Sequence, residues 1–132
     1  MAEMSKELKI VVLINSIIAL IYGFLFVVLT DIYLDLSDEA YPNPHLLRLW
    51  GGTILILAIF GFIIIKRAEW EQIKIFWEFV IIWLIMIVLV GFWSFAYIRR
   101  SATAMATAWI DIIVCLVMAI VDIFFYQREQ KA

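Results

Sequence analysis

Four stretches of this chain, 8–29, 46–65, 75–97 and 102–126, are each apolar over the roughly twenty residues a helix needs to cross a bilayer. Nothing else in the sequence constrains the fold as much. Inside hydrocarbon no water is available to backbone N–H and C=O groups. Each stretch must therefore bond within itself as a helix. The expected fold is all-α: a polytopic membrane protein, built as an antiparallel up-down four-helix transmembrane bundle in a single transmembrane domain covering 1–132. Two of the three connections are very short, which makes the neighbours they join antiparallel hairpins. Composition agrees. Hydrophobic residues make up 67% of the chain, against about 45–50% in a soluble domain. A chain of 132 residues has too little interior to hide that surplus from water.

Local signals sharpen the boundaries. In "NPHLL", Asn43 is placed to cap the second helix and Pro44 to occupy its first position. The amino-terminal "MAEMSKELK" carries both charge signs, and no A-x-A-like cleavage site follows the first apolar run. That run is therefore expected to be a retained span. Seven basic residues (Lys6, Lys9, Lys66, Arg67, Lys74, Arg128 and Lys131) fall on the side of the termini. Three (Arg48, Arg99 and Arg100) fall on the other. The asymmetry places both termini in the cytoplasm of a multi-pass protein. Aromatic residues mark the two interfaces: Tyr33, Tyr41, Trp50, Trp93 and Tyr97 outside, and Trp70, Phe76, Trp77 and Tyr126 inside.

The outer connection, 30–45, is expected to be a loop. It holds Asp31, Asp35, Asp38 and Glu39 without a Lys or Arg. One reading is an acidic lip that attracts cations. The other is a solvated loop with an amphipathic turn on the interface. The carboxylate spacing does not fit a calcium-binding loop. His45 stands alone, Cys115 is the only cysteine, and no Cys/His cluster has metal spacing. No metal, cofactor or catalytic residue is expected. A net charge of −2 without a basic patch gives no sign of nucleic-acid binding.

The chemistry concentrates in the fourth span, where two aspartates interrupt "AMATAWIDIIVCLVMAIVDIFFY". At helical rise, Asp111 lies about 13 Å from the outer boundary, close to the midplane, and Asp122 about 6 Å from the inner end. Eleven residues give about 1100° of rotation, so the two share a face within about 20°. Thr107 and Cys115 lie on or near that stripe. On the first helix Asn15 and Tyr22 share a face, and Tyr22 is level with Asp111. Glu78 is level with Asp122 near the inner boundary, and at least one of that pair is expected to meet Lys9, Lys66, Arg67 or Lys74. Arg48 is shallow on the outer side and can turn outward or inward. A charge at a helix centre costs about 2.5–3.5 kcal/mol on insertion scales. Asp111 is therefore expected either as a neutral clasp bonded to Tyr22 or Thr107, or as a titrating proton or cation station.

Small residues suggest close helix packing: Ala102 with Ala106 and Ala104 with Ala108 in the fourth span, and Gly51, Gly52, Ala58 and Gly61 in the second. The segment "LLRLWGGTILILAIFGF", together with the four spans, resembles the DoxX-like group of small four-helix membrane proteins. The resemblance covers the general layout with Arg48, Gly51 and Gly52. It implies a bundle and carries over no catalytic residue. The functional expectation is a non-enzymatic integral membrane module, an accessory protein or one that binds a lipid or a partner helix. The alternative is a small proton- or cation-coupled transporter or channel using Asp111 and Asp122. Four helices leave little room for a pathway, so that alternative calls for a homodimer.

Overall fold

The computed structural model describes residues 3–38, 42–67, 69–97 and 100–131. Glu39, Tyr41 and Arg99 lie outside the described residues. Five helices make up all the regular structure among the described residues: α1 (Lys6–Val27), α2 (Thr30–Ser37), α3 (Pro44–Arg67), α4 (Trp70–Tyr97) and α5 (Ala102–Lys131). α1, α3, α4 and α5, at 22, 24, 28 and 30 residues, are long and apolar enough to cross a membrane.

Helix starts follow the local sequence. Ser5 caps α1, its hydroxyl accepting from the Leu8 N–H at 3.2 Å. Asn43 caps α3 by accepting from the Leu46 N–H at 3.0 Å, and Pro44 opens that helix, as its sequence predicts. Ser101 caps α5 through the Ala104 N–H at 3.2 Å. Two boundaries differ from expectation. α4 begins at Trp70 and α5 runs on to Lys131. Hydropathy marks where the apolar surface ends, but a helix continues while its residues favour it, as "QREQK" does.

The expected outer loop is the larger correction. Its first half is α2, which ends where Asp38 adopts a left-handed conformation at φ 46° and returns its N–H to the Leu34 carbonyl at 2.9 Å. Thr30, Tyr33, Leu34 and Ser37 form its inward face, and Asp31 and Asp35 are exposed. This is the amphipathic turn of the plainer sequence reading, extended to two turns.

α1 packs along α3 and α4 along α5, while α2 rests on α5, α1 and α3. The α1–α3 contact depends on glycine. A Cβ added at Gly23 would meet the Leu55 side chain at 2.6 Å, and one at Gly51 would meet the Phe26 Cβ at 2.7 Å. One at Gly61 would collide with the Ser16 hydroxyl. Ala58 is 0% exposed in the same seam. Gly52 has open space around its Cβ position, so it takes no part. On α5, Ala104 is buried and Ala108 half-buried, but Ala102 and Ala106 face outward, so only Ala104 and Ala108 lie on the packed side.

Buried apolar residues gather at one end, where Met4, Leu8, Val12, Ile64, Trp70 and Trp77 join one cluster. The exterior is apolar as well: Ile75 is 80% exposed, Trp93 65% and Leu46 62%. Asp122, Ser16 and Thr30 are buried. Greasy outside and polar at chosen points inside is the arrangement a chain adopts when its solvent is not water.

Candidate functional site

The polar stripe of α5 faces α1. Asp111 accepts two hydrogen bonds, at Oδ1 from the Tyr22 hydroxyl and at Oδ2 from the Tyr33 hydroxyl, each at 2.7 Å. One carboxyl thus ties α5 to both α1 and α2. Tyr22 is the partner its depth predicts. Thr107 is not: its hydroxyl lies 3.0 Å from both the Leu36 and Thr103 carbonyls and stays on the backbone. A threonine in a helix readily bonds the carbonyl four residues back, which uses up its only proton.

Eleven residues further along the same face, Asp122 accepts from the Asn15 amide at 2.7 and 2.8 Å, one contact to each carboxyl oxygen. Its backbone carbonyl accepts from the Trp77 indole N–H at 3.2 Å. Asp122 is 0% exposed. Asn15 and Tyr22, seven apart on α1, therefore meet Asp122 and Asp111 respectively. Toward the termini, the Ser5 N–H donates to Glu129 at 2.7 Å, a third tie between α1 and α5.

The expected inner ring of ion pairs is not what forms. Glu78 follows Trp77 and so shares the level of Asp122, but its carboxylate accepts from the Tyr126 hydroxyl. Asp122 takes Asn15 in place of any Lys or Arg. Asp122 is closed off among the helices at 0% exposure, with the Asn15 amide within reach. The ion pair among the described residues is instead peripheral and solvent-facing, Arg128 with Glu7 at 3.5 Å. Arg48 turns toward α2: its Nε donates to the Thr30 hydroxyl at 3.2 Å, while that hydroxyl donates to the Phe26 carbonyl at 2.7 Å. It does not approach Asp111.

A cavity of about 210 Å³ opens beside Asp111. Every helix contributes to its wall: Tyr22 and Phe26 from α1, Tyr33 from α2, Trp50 from α3, Trp83 from α4 and Asp111 from α5. Phe26 and Tyr33 pack with ring centroids 4.5 Å apart, and Trp50 and Trp83 at 5.7 Å. A second cavity of about 50 Å³ adjoins it, sharing Ala19, Leu57, Trp83, Leu84 and Met118 and bordered further along by Asn15, Ser16 and Trp77. Comparison with known protein families, curated proteins and solved structures finds no match. The site therefore stands on its own chemistry. It offers a carboxylate with two phenol donors at one pole, rings and aliphatic groups elsewhere, and the Cys115 thiol on the wall. Among the described residues, no group of three or more His, Cys, Asp or Glu side chains is placed to hold a metal ion.

Sequence reasoning found Asp111 and Tyr22 but missed Tyr33, and it did not place Trp50, Phe26 and Trp83 around a common space. For Tyr33 a signal existed. Thr30, Tyr33, Leu34 and Ser37 recur at helical spacing between acidic residues, the pattern of a short amphipathic helix. The acidic content of the connection masked it.

Proposed function

We propose that this chain is a non-enzymatic membrane module whose cavity holds a small, largely apolar or lipid-like molecule. α1, α3, α4 and α5 span the bilayer as an antiparallel up-down bundle with both termini in the cytoplasm. The contacts support that arrangement. Residue numbers rise on α1 as they fall on α5, from Ser5–Glu129 through Asn15–Asp122 to Tyr22–Asp111. The same inverse order relates Ser16 and Gly23 on α1 to Gly61 and Leu55 on α3. The seven-to-three distribution of Lys and Arg supports the orientation.

The observation that carries the functional reading is the cavity beside Asp111. Binding sites are concave and mostly apolar, with a few convergent polar groups. Apolar cavities of about 150 Å³ already take up benzene. The test is binding of tert-butylbenzene to the purified chain, above the amount that protein-free detergent absorbs. Binding that disappears in Ala19→Phe, which fills the shared wall of both cavities, supports the reading. No binding above the detergent level, or binding unchanged in that variant, overturns it.

One observation favours a second reading, a proton- or cation-coupled transporter working as a dimer. Two cavities that share a wall border Asp111 and Asn15, the partner of Asp122. Asp111→Asn in liposomes would then fold normally and abolish flux.

A further inference from the structure

We propose that the cavity beside Asp111 selects a small organic cation, a quaternary ammonium bearing apolar groups. This rests on the reading of the cavity as a binding site and names its ligand chemistry.

The carboxyl comes first. Asp111 is the carboxyl group on the cavity wall, and no Lys, Arg or His lines it among the described residues. A carboxylate offers about four acceptor positions. Tyr22 and Tyr33 occupy one on each oxygen, so the group still presents negative potential to the cavity. An anion would be repelled there. A neutral apolar molecule would fill the space yet draw nothing from the carboxylate.

The walls then decide which cation. Calcium and magnesium need six or more oxygen ligands or retained waters. This wall supplies one carboxylate and two phenols amid rings and aliphatic carbons. It cannot replace the hydration of a hard ion. A quaternary ammonium spreads its charge over alkyl groups, holds water weakly and fits apolar surroundings. Aromatic rings attract such a cation through their quadrupole, and cages of rings are a recurrent means of binding it. Tyr22, Phe26, Tyr33, Trp50 and Trp83 contribute five rings to the wall of a cavity that one carboxylate borders. The other carboxylates lack this setting. Asp122 is sealed at 0% exposure, and Asp31 and Asp35 stand on the exposed face of α2.

Phenyltrimethylammonium and tert-butylbenzene have the same shape and differ by one atom and one charge. Equilibrium dialysis of both against the full chain in detergent separates the two levels of the proposal. The expected result is phenyltrimethylammonium bound at least tenfold more tightly. That preference should disappear in Asp111→Asn while tert-butylbenzene binding persists. Ala19→Phe should abolish both, and it keeps the test decisive should Asp111→Asn fail to fold. Equal or tighter binding of tert-butylbenzene overturns the cation inference and leaves the cavity reading standing. Cation binding that survives Asp111→Asn or Ala19→Phe also overturns the inference, since the ion then sits elsewhere. If neither compound binds, both readings fall.

Discussion

Asp111 and Asp122 project from one face of one helix toward the same neighbour, yet they sit in opposite surroundings. Asp111 meets two tyrosines and borders a cavity of about 210 Å³. Asp122 meets one asparagine, is 0% exposed, and has the Trp77 indole bonded to its own carbonyl. The difference lies in what surrounds them. Beside Asn15, the partner of Asp122, the space is smaller, a cavity of about 50 Å³, and Gly61 lies against Ser16. Around Asp111 large rings hold the helices apart and leave space between them. The same residue type on the same stripe is thus sealed in one region and borders a cavity in the other.

Removing the sealed carboxyl should have the largest effect on stability. Asp122→Leu leaves the half-buried Asn15 amide without its acceptor and removes a side chain that is 0% exposed, a loss of about 1–3 kcal/mol. Asp111→Leu should cost less, about 0.6–2 kcal/mol, because its former donors border a space that water or a ligand can enter. Thermal unfolding in detergent measures both. A larger loss for Asp111→Leu would reverse the assignment of clasp and pole.

Packing offers the next contrast. Gly61→Ala drives a methyl group into Ser16 in the tight region and should cost about 1–3 kcal/mol. Gly52→Ala meets open space and should change stability by no more than about 0.5 kcal/mol. Equal effects in the same melts would show that the tight seam is not where the structure places it.

Access gives a third test. Cys115 lines the cavity and is the sole cysteine, so N-ethylmaleimide should alkylate it. In a Cys115→Ser background, Ala119→Cys puts a thiol at a position only 2% exposed near Asp122, where labelling should be at least tenfold slower. Comparable rates would dissolve the distinction between open and sealed. The smallest effect belongs to the periphery. Glu7→Gln removes an ion pair whose partners are both about half exposed, worth about 0–1 kcal/mol, and should barely move the melting point.

Much of this was legible from residue order. The four long apolar runs imply four long helices, because no other backbone satisfies itself in hydrocarbon. Asn43 and Pro44 locate a helix start, and the seven-residue spacing of Asn15 and Tyr22 puts them on the face that meets α5. Depth arithmetic pairs Tyr22 with Asp111. The misses have separate causes. Asp122 reads as interfacial from its place near the end of the apolar run, but its side chain packs inward at 0% exposure against Asn15. Attraction by nearby Lys and Arg then looks decisive, but a desolvated amide already in reach fills the position. Tyr33 was hidden because acidity and brevity made α2 resemble a loop. The cavity could not be read from the sequence, since an empty volume depends on how far Trp50 and Trp83 hold their helices apart.

The most direct test of the central claim, that the Asp111 region is an open site and the Asp122 region a closed clasp, is a crystal structure with 1-bromo-4-tert-butylbenzene, located by bromine anomalous scattering. A bromine peak is expected within the space bounded by Tyr22, Trp50 and Trp83, and none between Asn15 and Asp122. Bromine found only against the exposed apolar faces of the helices, or lodged at Asn15–Asp122, would contradict the claim.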